Sequence, residues 1–158
     1  MSVLRRWRGL DEFSLPSVPG NERLASEKVA AAVSGLKLPD IRVERLKTAV
    51  AEATLNAMEH GNHYDPELEV NIVVRVSDRA VSAMHADTVV SVCITDQGSG
   101  PIPEHTHPDL QAKLQGTQSP RGWGLFLIKN MVDEMNVSGD GEKHLVELVM
   151  YLESGKNQ

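Results

Sequence analysis

Glu52 and Asn56 lie four residues apart, so on a helix they project from one side a turn apart, and a single ligand can meet both. An amide oxygen is a suitable hard ligand for Mg²⁺, which prefers oxygen and keeps waters and phosphate oxygens in its shell. A carboxylate beside it can accept the proton of an attacking hydroxyl or water. The plain alternative is a solvated polar face. Asp96 continues the alternation Val90, Val92, Ile94, which puts its carboxylate on the strand face where helices should pack. A charge buried there needs a donor from the protein or from a ligand. Asp96 can also simply cap the turn that begins at Gln97-Gly98.

Two glycine pairs follow. Gly98 and Gly100 bracket Ser99 and let the backbone turn sharply or come close to a ligand. Gly122-Trp123-Gly124 stands directly before an apolar helix starting at Leu125. Backbone N–H groups at a helix start can cradle phosphate, with the helix dipole favouring the negative charge, although a Gly-x-Gly is also a plain hinge. Trp123 can stack on a ligand or merely pack. His60, His63, His105 and His107 lack a helical i, i+4 pair, and His105 and His107 fall in an aperiodic stretch, so they do not read as a metal site.

The elements that must hold these residues follow from periodicity. Val43, Leu46, Val50, Ala53 and Ala57 step by three or four residues and form the buried stripe of a helix that Asp40 can cap and Gly61 can end in the left-handed conformation. Glu52, Asn56, Glu59 and His60 form a polar stripe bordering it. An earlier helix over residues 22–35 follows Pro19-Gly20, and Phe13-Ser14-Leu15 reads as a short edge strand ended by Pro16. Alternation predicts strands at Leu68–Val76, Val90–Ile94 and Val146–Leu152, with a helix from Leu125 to Met135 and a turn at Gly139-Asp140-Gly141. Residues 101–121 carry Pro101, Pro103, Pro108 and Pro120 and little periodicity, which suits a mobile lid or a tolerated surface insertion.

At 158 residues the chain suits one domain. With 41% hydrophobic and 24% charged residues, and no apolar run near the ~20 needed to span a bilayer, it reads as a soluble, cytoplasmic protein without a secretory signal. A formal charge of -6 argues against nucleic acid or an anionic membrane as partner. Cys93 is the single cysteine, so no internal disulfide forms, and it reads as an inert strand residue.

Taken in order, Glu52-x-x-x-Asn56, Asp96-x-Gly98-x-Gly100 and Gly122-x-Gly124-Leu125 resemble the N, G1 and G2 boxes of the GHKL (Bergerat-fold) ATPase superfamily. The runs Ala49–Gly61 and Gly122–Lys129 look most like the bacterial anti-sigma-factor serine/threonine kinases of partner-switching pathways. The resemblance implies an α/β (α+β) two-layer sandwich, with a mixed, mostly antiparallel sheet and helices on one face. It spans residues 13–152, with the lid at about 101–121, an N-terminal extension at 1–12 and a tail at 153–158. ATP and Mg²⁺ are the implied cofactors. Asn56 would bind the metal, Asp96 would accept from the adenine amino group, and Gly98 and Gly100 would shape the adenine end. Gly122, Gly124 and the helix start at Leu125 would hold phosphates with help from Arg121; His60 and Trp123 join the nucleotide contacts. Glu52 would be the general base that activates a serine on an anti-anti-sigma (STAS) domain. A sigma factor is a further implied partner and a homodimer the implied assembly. The alternative is a module that sequesters its partner without catalysis, with or without nucleotide. One segment departs from the family pattern: Gly141-Glu142-Lys143-His144 stands where Gly-Thr is usual.

Overall fold

The computed structural model describes residues 6–82, 85–98, 120–139 and 143–152. Five strands, β1 (Trp7–Pro16), β2 (Glu69–Ser82), β3 (His85–Thr95), β4 (Glu134–Gly139) and β5 (His144–Tyr151), form one sheet in the order β1-β2-β3-β5-β4. Every described pairing is antiparallel. Three helices, α1 (Asn21–Val33), α2 (Asp40–Asn56) and α3 (Pro120–Met131), complete the α+β sandwich. Among the described residues no helix is long and apolar enough to cross a membrane.

Strand parity explains the layering. Ile72 lies opposite Ile94, Val74 opposite Val92 and Val76 opposite Val90, while Leu148 and Met150 continue the same face onto β5. These side chains are buried, together with Val29 and Val33 of α1, Leu46, Val50 and Ala53 of α2, and Ile128 of α3. The result is a single apolar layer between sheet and helices, the arrangement that alternating strands and striped helices can bury together. Ser26 Oγ donates to the Lys47 carbonyl at 3.1 Å, tying α1 to α2.

The boundaries differ from the sequence expectations in instructive places. β1 has ten residues and begins at Trp7, so residues 7–12 belong to the sheet and are not an extension; a register shift between Gly9 and Asp11 is absorbed without ending the strand. Asp40 is the first residue of α2, whose cap position is Pro39, and makes no capping bond. α3 starts at Pro120, so Gly122-Trp123-Gly124 lie within its first turns and do not precede it. It also ends at Met131, not Met135, because Asp133 turns the chain onto β5. The Asp133 N–H donates to the Val149 carbonyl at 3.0 Å, and its Oδ2 accepts from Tyr151 N at 2.7 Å and Arg42 Nη1 at 3.1 Å. Met131 and Met135 are spaced like one helical face, but Met135 lies on β4, opposite Leu148. Of the expected lid, residues 101–119 lie outside the described residues; Pro120 and Arg121 open α3.

The sheet's second face is polar at its centre. Glu147 accepts from Ser91 Oγ at 2.6 Å, Arg75 Nη2 at 3.3 Å and Asn136 Nδ2 at 3.2 Å, and the Arg75 guanidinium lies 4.5 Å from the Trp7 ring centroid. Cys93, half-buried, sits beside this group. Burial opposes the Glu147 charge, but the bonds from Ser91, Asn136 and Arg75 outweigh it and hold the carboxyl below its usual range. A carboxyl with a depressed folded pKa contributes stability above its unfolded pKa and loses it as pH falls through the folded value. The thermal midpoint of Glu147→Gln should therefore fall below wild type at neutral pH, and the two should converge on acidification below about pH 4. Parallel melting curves across the acid range check this, and a constant gap would refute it.

Candidate functional site

The site forms where the end of α2 meets the end of β3. Beyond Asn56 the helix widens into a single π turn, Ala57–Gly61, with Asn62 N donating to the Ala57 carbonyl at 2.9 Å. Such widened turns recur at functional positions because they re-aim the residues around them. Gly61 does not take the left-handed conformation expected of it: the positive φ values fall on His63 and Tyr64, at 52° and 55°. Gly61 is required for another reason, since a Cβ there would overlap Asp96 Oδ2. A Cβ on Gly98 would in turn overlap the Gly61 carbonyl oxygen. The two glycines thus let the helix end and the strand end touch backbone to backbone.

Asn62 locks this contact. It is fully buried; its Nδ2 donates to Ser17 Oγ at 2.9 Å and to the Glu69 carbonyl at 3.2 Å, and its Oδ1 accepts from Gln97 N at 2.8 Å. Gln97 Oε1 closes the ring by accepting from Glu69 N at 2.6 Å. β1, β2 and the Asp96 loop are therefore held by one amide. The sequence reading passed over Asn62; its only signal there was a polar residue just after the helix-ending glycine.

Asp96 is buried, as strand parity requires, and both readings of it hold in part. Its Oδ1 accepts from Gly98 N at 3.0 Å and His144 N at 3.1 Å, which is the turn-capping role, and from His144 Nδ1 at 3.2 Å. Its Oδ2 lies over Gly61. Asp96 also lines a small cavity with Asn56, Leu125, His144 and apolar walls from Ile94 and Val146.

Beside Asn56, α3 packs on α2. An added Cβ on Gly124 would lie 3.2 Å from Asn56 Nδ2 and 3.7 Å from Glu52 Cδ, so this glycine permits the helix start to settle on both side chains. Asn56 Nδ2 is buried and has no hydrogen-bond partner among the described residues. A buried amide left so forgoes roughly 1–3 kcal/mol, the cost of an unsatisfied donor. The first N–H groups of α3 likewise have no partner within the helix. A ligand with anionic oxygens suits this end of the cavity.

Of the expected site residues, Asn56, Asp96 and Leu125 line the cavity; Glu52 and Gly124 lie beside Asn56, and Gly98 lies against Gly61. His60 does not line the cavity; its Nε2 lies 3.7 Å from Glu59 Oε2 on the π turn. Gly122 falls in the first turn of α3, while Gly100 and the side chains of Arg121 and Trp123 lie outside the described residues. Among the described residues no three His, Cys, Asp or Glu side chains cluster as a metal site. His144 was singled out in the sequence only as a departure; its position on the cavity depends on β5 starting opposite the end of β3.

Residues 15–150 match the family model described as a histidine kinase-like ATPase domain. The chain is 32% identical over 125 residues to the anti-sigma F factor of Geobacillus stearothermophilus, covering 78% of each chain. It is 34% identical over 128 residues to the serine-protein kinase RsbW of Bacillus licheniformis, covering 79% of this chain and 73% of that one. The fold resembles a Mycobacterium tuberculosis crystal structure of RsbU and RsbW domains, with a TM-score of 0.53 and 14% identity; the match covers 89% of this chain and 32% of that one.

Gly98→Ala should destabilise the fold by about 1–3 kcal/mol, as forced overpacking does, because the backbone oxygen it meets cannot rotate away. Gly35→Ala, with nothing within 4 Å of the added atom, should leave the midpoint nearly unchanged. Denaturant titration of the two variants decides it: equal stabilities would mean that the Gly61–Gly98 contact imposes no constraint.

Proposed function

The chain belongs to the histidine kinase-like ATPase domain family, with the anti-sigma-factor serine kinases as its relatives, and on that basis we propose that it is an ATP-dependent serine/threonine protein kinase and anti-sigma factor of a partner-switching system. The observation that carries this reading is the seating of Gly124 on Glu52 and Asn56, with Asn56 and the buried carboxylate of Asp96 lining one cavity.

The residues fit a Mg²⁺-nucleotide. Asn56 carries an amide oxygen for the metal and an unpartnered buried N–H₂ group for a phosphate oxygen, which explains an otherwise costly orphan. Asn56 would be the protein's ligand to such an ion, which would take its other ligands from phosphate oxygens and water, the usual habit of Mg²⁺. The first turn of α3 offers backbone N–H groups and a dipole of the right sign for phosphates. Asp96 Oδ2 accepts from an exocyclic amino group, as adenine carries. Bound ATP with Mg²⁺ supplies the transferable phosphoryl group and neutralises part of its charge. Glu52, beside Asn56, takes the proton of a substrate serine hydroxyl as its oxygen bonds to phosphorus and the bond to the departing ADP breaks.

The protein substrate in this reading is a STAS-domain anti-anti-sigma protein, with a sigma factor as the competing partner and a homodimer as the working assembly. In this reading the protein acts in the cytoplasm, and its formal charge of -6 argues against a nucleic-acid partner. Incubation with labelled ATP, Mg²⁺ and a STAS-domain partner should label the partner, and Glu52→Gln should cut transfer by about 10²-fold or more while keeping ATP affinity within a few-fold. A wild type that binds ATP and transfers nothing would instead be a non-catalytic sequestering module. Asp96→Asn, which removes a charge-assisted acceptor worth about 1.5–3 kcal/mol, should weaken ATP binding at least tenfold in equilibrium titration. Unchanged affinity would place the base elsewhere.

A further inference from the structure

Asn62 has no part in the nucleotide contacts proposed above, yet it joins the two segments that make them. Its backbone N–H donates to the Ala57 carbonyl at 2.9 Å, the bond that closes the π turn directly after Asn56. Its side-chain Oδ1 accepts from Gln97 N at 2.8 Å, directly after Asp96. Asn56, Ala57 and Asp96 line the cavity, and Asn62 is not among the lining residues.

The amide can be oriented in only one way. The Gln97 N–H needs an acceptor and the Glu69 carbonyl needs a donor, so Oδ1 faces Gln97 and Nδ2 faces Glu69. Ser17 Oγ, which itself donates to the Leu68 carbonyl at 2.7 Å, accepts the second Nδ2 hydrogen at 2.9 Å. Asn62 is 1% exposed, so water does not compete for these bonds. The glycine contact beside it works differently. Gly61 and Gly98 allow the two backbones to come close, but repulsion sets only the nearest approach. Holding them there takes attraction, which the Asn62–Gln97 bond supplies in a fixed direction.

Resting on the nucleotide-binding reading above, we propose that Asn62 is the positioning residue that sets the span of the nucleotide site. It holds the loop after Asp96 against the turn after Asn56, so that the two sets of ligand contacts stand at the separation one nucleotide bridges. Glu52 and Asn56 lie before that turn, on a helix anchored in the core by Leu46, Val50 and Ala53 and covered by Gly124. Loss of the amide frees the loop from the turn and leaves those two side chains in place. Binding, which needs both segments at once, then weakens, while transfer from ATP already bound continues. Asn62 thus acts on affinity and not on the chemical step.

The test is equilibrium binding of ATP with Mg²⁺ to Asn62→Ala, with transfer to a STAS-domain partner at saturating ATP as the second readout. Ser26→Ala is the control: it also removes a buried side-chain hydrogen bond, to the Lys47 carbonyl, but between α1 and α2 and away from the cavity lining. Measured well below the thermal midpoints, Asn62→Ala should bind ATP about tenfold more weakly and transfer at saturation within a few-fold of wild type. Ser26→Ala should keep wild-type affinity. Where Asn62→Ala fails to fold, Ser17→Ala carries the test, since it removes one acceptor that aims the amide and leaves Asn62 in place; ATP should then bind about threefold more weakly. A merely structural Asn62 lowers the midpoint without changing the affinity of the folded protein. That result, an equal loss of affinity in Ser26→Ala, or transfer that collapses at saturating ATP would overturn the proposal and leave the kinase reading standing. A wild type that binds ATP without transferring phosphate fails the kinase reading alone, and the binding comparison still decides this one. A wild type that binds no ATP would overturn both.

Discussion

Everything at the site depends on how closely two pieces of backbone approach. Gly98 stands against the Gly61 carbonyl and Gly61 against the Asp96 carboxylate, each with no space for a methyl group. Because the contact is backbone to backbone, it fixes the end of α2 relative to the end of β3 without relying on side-chain rotamers. From that contact the π turn and then α2 carry Asn56 and Glu52 to set positions relative to Asp96. The cavity is the gap that this geometry leaves, roofed by α3. Asn62 and Gln97 reinforce the same contact with hydrogen bonds inside the protein, so its position is specified twice.

The two ends of the cavity are built on different chemical terms. At the Asp96 end the polar groups are largely satisfied by one another, with Oδ1 holding three donors, and the site is preorganised. At the Asn56 end a buried amide nitrogen is left without a partner among the described residues. Preorganisation suits recognition of a neutral ring by a few directed bonds. Unspent donors suit a multiply charged group that brings its own acceptors and its own metal. The proposed nucleotide, planar at one end and anionic at the other, would draw on both.

Much of this was legible in the chain, and the misreadings share a cause. Strand parity correctly buried Asp96, and helical spacing correctly aligned Glu52 with Asn56, because both are local consequences of a fixed repeat. Gly61 was recognised as special but for the wrong reason: φ is a local property, whereas the overlap that forbids a side chain involves Asp96, far along the chain. Met135 was assigned to a helix because it follows Met131 by four residues; its place on β4 is dictated by pairing with Leu148 and by the bonds of Asp133 to β5. Asn62 and His144 work through partners distant in sequence, Gln97 and Asp96, and no periodicity announces such pairs. The ten-residue length of β1 was hidden for the same reason, since its N-terminal half is polar and is held by pairing with β2.

The walls of the cavity have a thermodynamic meaning. Ile94, Leu125 and Ile128 line it and are also members of the main apolar cluster, so the cavity wall is continuous with the core. A molecule that enters covers core surface and supplies a partner for Asn56, which makes occupancy and global folding a single linked equilibrium. A ligand held there would slow every process that acts on the unfolded chain, proteolysis among them.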